Sequence, residues 1–229
     1  DDGGEPWARG VLSLPLARGA AVLADSEKIA PLYYLQQIEG LRPDLDIMVL
    51  PDEAAYRAEL DARLAAGQPV YLARFLPGLA GVYSLRSLGP LVEVRREPPG
   101  ELPADIVSIG RDLGPLRLIG YEARPASAID PHTVALTLYW TLARPLEPGE
   151  EPPALFVRWY SDAYAVGETV ESGRHAVADT YPANAWRPGE IVADTHLLPA
   201  PVFACASAAG CDLEAQVAVA PRYTPPAGL

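Results

Sequence analysis

Between Ala20 and Phe75 three short apolar runs alternate with two helical segments, an order that restricts the chain to few folds. Ala20-Ala21-Val22-Leu23-Ala24 is apolar without alternation, as a parallel strand buried on both faces must be. Asp25-Ser26-Glu27 supplies N-cap chemistry; the helix it opens extends to Glu39 and stops at Gly40, with Arg42-Pro43 blocking continuation. Pro31 fits such a helix only in its first turn. Asp46-Ile47-Met48-Val49-Leu50 reads as a second strand. Pro51-Asp52-Glu53 opens a second helix with Tyr56, Leu60 and Leu64 on one face, ending at Gly67. Val70 to Phe75 is the third strand, so a βαβαβ unit with right-handed crossovers and a parallel sheet is expected.

After Pro77-Gly78 the pattern changes. Val82–Leu85 and Leu91–Val94, separated by Gly89-Pro90, read as a hairpin closing the sheet, and the proline-dense stretch Glu97 to Pro103 marks a domain boundary. Beyond residue 105 no helical period is found. Thr133 to Leu142 alternates cleanly, with Val134, Leu136, Leu138, Trp140 and Leu142 on one face. Leu116 to Tyr121, Leu155 to Tyr160, His175 to Thr180, Glu190 to Leu198 and Asp212 to Val219 are further strand candidates. The expected fold is α/β plus all-β: a Rossmann-like βαβαβ domain over 1–100, then an antiparallel jelly-roll β-sandwich over 105–229.

Charge and missing loops exclude several functions. The net charge of −12 opposes binding to a phosphate backbone, so no nucleic-acid partner is expected. The loop after the first strand is Ala24-Asp25-Ser26-Glu27, without the glycines that let a backbone approach pyrophosphate and with acids that repel it, so no nucleotide and no cofactor is expected. Asp25 is instead a helix cap, with a sugar hydroxyl, an ammonium group or an acceptor as its functional alternative at the sheet edge. No apolar stretch is long enough for a spanning helix, and the sole methionine is Met48, so a piece of a longer protein is expected. Cys205 and Cys211 flank a small-residue loop. A disulfide there places the chain in an oxidising compartment; the alternative is two small core thiols.

Chemistry-bearing residues concentrate in the second half. Asp194 and His196 share one face of a strand, which allows an acid/base or metal pair, yet no further ligand occurs at a recognised spacing and no metal is expected. A solvent-facing polar pair is the simpler reading. Ser161, Asp162 and His175 lack the nucleophile elbow of a hydrolase. The acids Asp162, Glu168, Glu171, Asp179 and Asp194 form either a solvated face or a Ca²⁺ site of the sandwich. Tyr181 and Trp186 fall in one turn-rich loop with Asn184, where two exposed rings and an amide can hold a sugar; the alternative is that Trp186 plugs the sandwich.

Two stretches carry a family resemblance. Ala21 to Asp44, with Ala30-Pro31-Leu32-Tyr33-Tyr34-Leu35-Gln36 and Glu39-Gly40-Leu41-Arg42-Pro43-Asp44, resembles the segment after the membrane helices of bacterial polytopic proteins related to protein O-mannosyltransferases, the DUF2723 group. Leu118 to Tyr121, Leu136 to Trp140, Tyr181-Pro182 and Trp186 to Glu190 resemble the β-sandwich appended to many such chains. The resemblance implies an extracytoplasmic region of a membrane glycosyltransferase-like chain whose catalytic acid lies in an N-terminal part not represented here. It implies no catalytic residue within this sequence. The expected role is to bind or orient a glycan or polypeptide acceptor beside the chain's own membrane domain on the outer side of the bacterial cell membrane. The rivals are a small soluble hydrolase or transferase using the sheet edge near Asp25, and a pure protein-interaction scaffold.

Overall fold

The structure is a computed structural model that describes residues 4–98, 101–125, 133–160, 169–199 and 214–221. It is mixed α/β with three sheets, and most of its elements are strands. The sheets have five, four and three strands, and none closes into a barrel among the described residues. No helix among them is long and apolar enough to cross a membrane.

In the first part β1 (Ala21–Ala24) pairs in parallel with both β2 (Asp46–Met48) and β3 (Val70–Ala73). The helix α2 (Ser26–Gln37) connects β1 to β2, and α3 (Glu53–Ala65) connects β2 to β3. All residues of β1 and β3 are buried, which is why their sequences are apolar without alternation. The hairpin β4 (Ser84–Leu88) and β5 (Leu91–Arg95) completes the sheet in the order β2-β1-β3-β5-β4. Helix α1 (Gly4–Ser13) precedes β1 and packs on α2.

Pro31 is the sixth residue of α2, in the second turn rather than the first. Its ring faces the start of α1, where a Cβ added at Gly4 would lie 3.7 Å from Cγ. Apolar contact with α1 therefore accompanies the lost helical N–H.

In the second part β6 (Val107–Leu113), β7 (Leu116–Pro125), β8 (Thr133–Leu142) and β11 (Val192–Pro199) form the four-stranded sheet, ordered β11-β8-β7-β6. The strands β10 (Thr169–Arg174), β9 (Ala154–Tyr160) and β12 (Glu214–Ala220) form the other; all pairings are antiparallel. Leu136, Leu138 and Trp140 point from β8 into the core, as the alternation requires. Gly120 permits the close approach of β6 to β7, because a Cβ there would sit 2.5 Å from the Val107 carbonyl oxygen.

His175 to Thr180, expected as a strand, is instead a tight turn. Val177, Ala178 and Asp179 take φ of 56°, 53° and 66°, a left-handed helical turn over Ala176–Asp179. Side chains other than glycine adopt this conformation at a cost of about 1–2 kcal/mol each. Strand β10 ends at Arg174, and the Val177 N–H, which donates to Asp194, helps hold the turn that follows.

One hydrophobic cluster links the two parts: Leu23, Tyr56, Leu72 and Leu85 belong to the same contiguous core as Trp140, Tyr181, Trp186 and Val192. Strand β4 lies against β11 and the left-handed turn.

Candidate functional site

The sheet edge at Asp25 is occupied by its own chain. Asp25 Oδ1 accepts from the Glu27 and Lys28 backbone N–H groups at 3.2 and 2.9 Å, and Oδ2 pairs with Lys28 Nζ at 3.2 Å. Lys28 Nζ also donates to the Ala73 carbonyl at 3.1 Å, stitching α2 to the end of β3. Beside it the Tyr56 hydroxyl donates to Ala24 O at 2.5 Å and accepts from Leu50 N at 2.9 Å, and the Arg74 guanidinium stacks 3.9 Å from the Tyr56 ring centroid. Asp25 is thus a helix cap whose two oxygens are both engaged.

Tyr181 and Trp186 do not form the solvent-facing shelf that a stacking site needs. Tyr181 is fully buried and Trp186 is 6% exposed, with ring centroids 6.3 Å apart. The Trp186 indole N–H donates to Tyr181 O at 3.0 Å. The Tyr181 hydroxyl donates to the buried Glu190 carboxylate, lying 3.1 and 3.0 Å from its two oxygens. Glu190 also accepts from Arg187 N at 2.9 Å and from the Ser84 hydroxyl of β4. Burial, reinforced by the neighbouring Glu190 charge, pushes the Tyr181 phenol well above its usual range. The two rings went inside because Glu190 supplies the acceptor that a buried phenol requires.

Asn184 has the opposite fate. It stands exposed on a 3-10 turn (Ala183–Ala185) at the lip of a cleft of about 450 Å³ between residues 142–150 and 183–189. Leu142, Leu146, Trp186 and Pro188 supply its apolar lining. Arg144 Nη1 and Nη2 each donate to Glu150 at 2.8 Å, and Glu150 also accepts from Glu147 N at 2.8 Å. These bonds, the Arg144 fork foremost, pull the Glu150 carboxyl down to about 2. In sequence this segment shows only the turn signal Pro148-Gly149; the arginine–glutamate fork six residues apart has no helical or strand spacing to announce it.

Asp194 and His196 share a face of β11, but that face is internal: they are 0% and 1% exposed. Arg174 Nη1 donates to Asp194 Oδ1 at 3.0 Å, and Val177 N donates to the same oxygen at 2.8 Å. His196 Nε2 lies 2.9 Å from Asp194 Oδ2, and its Nδ1 lies 3.2 Å from Arg174 Nη2. Desolvation is the largest single influence on Asp194 and acts to raise its pKa. The combined pull of His196, Arg174 and the Val177 N–H exceeds it and holds the carboxyl below the usual range. A guanidinium in this position repels a cation, and no group of three or more His, Cys, Asp or Glu able to hold a metal occurs among the described residues. The solvent-facing pair is therefore a buried ionic cluster that anchors the left-handed turn.

No family model, curated protein or solved structure matches the chain. Ser161, Asp162, Glu168, Cys205 and Cys211 lie outside the described residues. Among the remaining candidates, the tertiary structure joins Asn184 to the cleft, uses Asp25 as a cap, and takes Tyr181, Trp186, Asp194 and His196 into the interior. The residues that sequence reasoning missed are Arg144, Glu150, Arg174 and Glu190.

Proposed function

We propose that the chain is a non-catalytic, extracytoplasmic region of a membrane glycosyltransferase-like protein that binds or orients a glycan or polypeptide acceptor in the cleft beside Asn184. The single observation that carries this reading is the cleft itself, which combines apolar walls with an exposed amide and an arginine–glutamate fork. Concave sites with few convergent polar groups are the usual ligand sites of proteins. The polar groups best suited to acid–base chemistry support a non-catalytic role, since Asp194, His196 and Glu190 are engaged in the core. The proposed architecture is a Rossmann-like βαβαβ domain followed by a jelly-roll sandwich, with the parallel β1–β3 order and the facing antiparallel sheets as support.

A glycan and peptide array probed with the wild type and with Asn184→Trp tests this. The exposed position tolerates the larger ring, which closes the cleft. Wild-type binding that the variant loses is the expected result. No binding by the wild type would leave a protein-interaction scaffold as the better reading, which the burial of Trp186 favours independently.

A further inference from the structure

The cleft beside Asn184 also has a chemical preference, and the inference drawn from it rests on the acceptor-binding reading above. Arg144 presents its end-on fork to Glu150 and a further Nη1 hydrogen to the Pro145 carbonyl at 2.9 Å. A guanidinium has five N–H donors in a rigid plane. The three that are used leave the side-on pair, Nε–H and the outer Nη2–H, with no partner among the described residues, on a side chain 47% exposed in the cleft wall. Two parallel donors of this kind match two oxygens held side by side: the pair on the single carbon of a carboxylate, or the vicinal hydroxyls on adjacent carbons of a sugar ring.

Charge separates the two. Arg144 is already neutralised by Glu150, Glu147 also lines the cleft, and the chain carries −12 overall, so an anion meets a repulsive field. A neutral diol does not. Its hydroxyl protons need acceptors, which the Asn184 amide oxygen and the Glu147 carboxylate supply from the same cleft. Leu146 and Pro188 offer apolar surface for the C–H face of the ring. We propose that the cleft takes an uncharged pyranoside through a vicinal diol on the free edge of Arg144, and that it rejects acidic sugars.

The test is an amide-resolved NMR titration of the whole 229-residue chain. The probes are methyl α-mannopyranoside, the same glycoside with its 2- and 3-hydroxyls methylated, glucuronate, and a Ser/Thr-rich peptide. The expected result is that methyl mannoside shifts the amides of Arg144, Gly149, Asn184 and Gly189 with a Kd on the order of millimolar. The blocked glycoside and glucuronate are expected to leave them unmoved. Arg144→Lys keeps the charge but has no planar edge, and should weaken binding about tenfold. Asn184→Ala, at an exposed position outside the core, serves as a second variant and should weaken it by a smaller factor. Binding of glucuronate or of the blocked glycoside as strong as that of methyl mannoside overturns the diol assignment and leaves the acceptor reading standing, as does binding of the peptide alone. Unchanged cleft amides with all four probes overturn both.

Discussion

Removing one oxygen from Tyr181 should weaken the whole chain. In Tyr181→Phe the ring keeps its shape and leaves no cavity, so the loss is confined to one hydrogen bond to a buried carboxylate, worth about 1.5–3 kcal/mol. Ser84 and Arg187 still donate to Glu190, which keeps the loss below that of an orphaned buried charge. For a chain of this size each kcal/mol lowers Tm by roughly 2–4 °C. Because Ser84 belongs to the first part and Tyr181 and Glu190 to the second, the variant should shift one common unfolding transition rather than a local one. Urea unfolding followed by tryptophan fluorescence and by far-UV circular dichroism measures this, with coincident curves expected. Ser84→Ala combined with Tyr181→Phe should be non-additive, since both donors share Glu190 Oε1. A loss under about 0.5 kcal/mol, or two separated transitions of which only one moves, would refute the reasoning.

Three further outcomes are expected. Asp194→Asn removes the buried carboxylate that accepts from Arg174 and from Val177 N and should cost about 3–5 kcal/mol by chemical denaturation. Because the folded Asp194 carboxyl is held below its usual range, its contribution is complete above the ordinary aspartate pKa of 3.8 and lost as the pH falls through the depressed folded value; the variant should lack that acid-dependent segment. Ala178→Gly should stabilise the protein by up to about 1 kcal/mol, because φ at this exposed position is positive; destabilisation by a similar amount would mean that the turn is right-handed. Gly120→Ala forces a Cβ against the Val107 carbonyl and should lower Tm and raise hydrogen exchange in β6, and unchanged exchange there would refute the close approach.

The first hundred residues and the cleft differ in how far the sequence alone decides them. Apolar runs at β1 and β3, the caps at Asp25 and Asp52 and the four-residue spacing of Tyr56 and Leu60 are local signals, and each became the element it announced. The clean alternation of Thr133 to Leu142 likewise became β8 with its inner face buried. Strand β6 went unseen because nearly all of it is exposed, so burial imposes little alternation on it. Helix α1 offers little more than an Ala-Arg-Gly-Val-Leu segment, and its buried face exists only against α2 and the sheet.

What no local pattern could decide is which polar residues face inward. Tyr181 and Trp186 carry the composition of a sugar shelf, and Asp194 and His196 the spacing of a surface pair. Partners distant in sequence reversed both: Ser84 reaches Glu190 across 106 positions, and Arg174 reaches Asp194 across 20. A buried polar group is tolerated only where its hydrogen bonds are completed, and that completion depends on which strands become neighbours. Sequence by itself therefore determined the strands and helices whose signals are local and repeated. The tertiary structure alone decided that the conspicuous aromatics are core, that the Asp–His pair is an internal anchor, and that an unremarked arginine and an exposed asparagine line the same cleft.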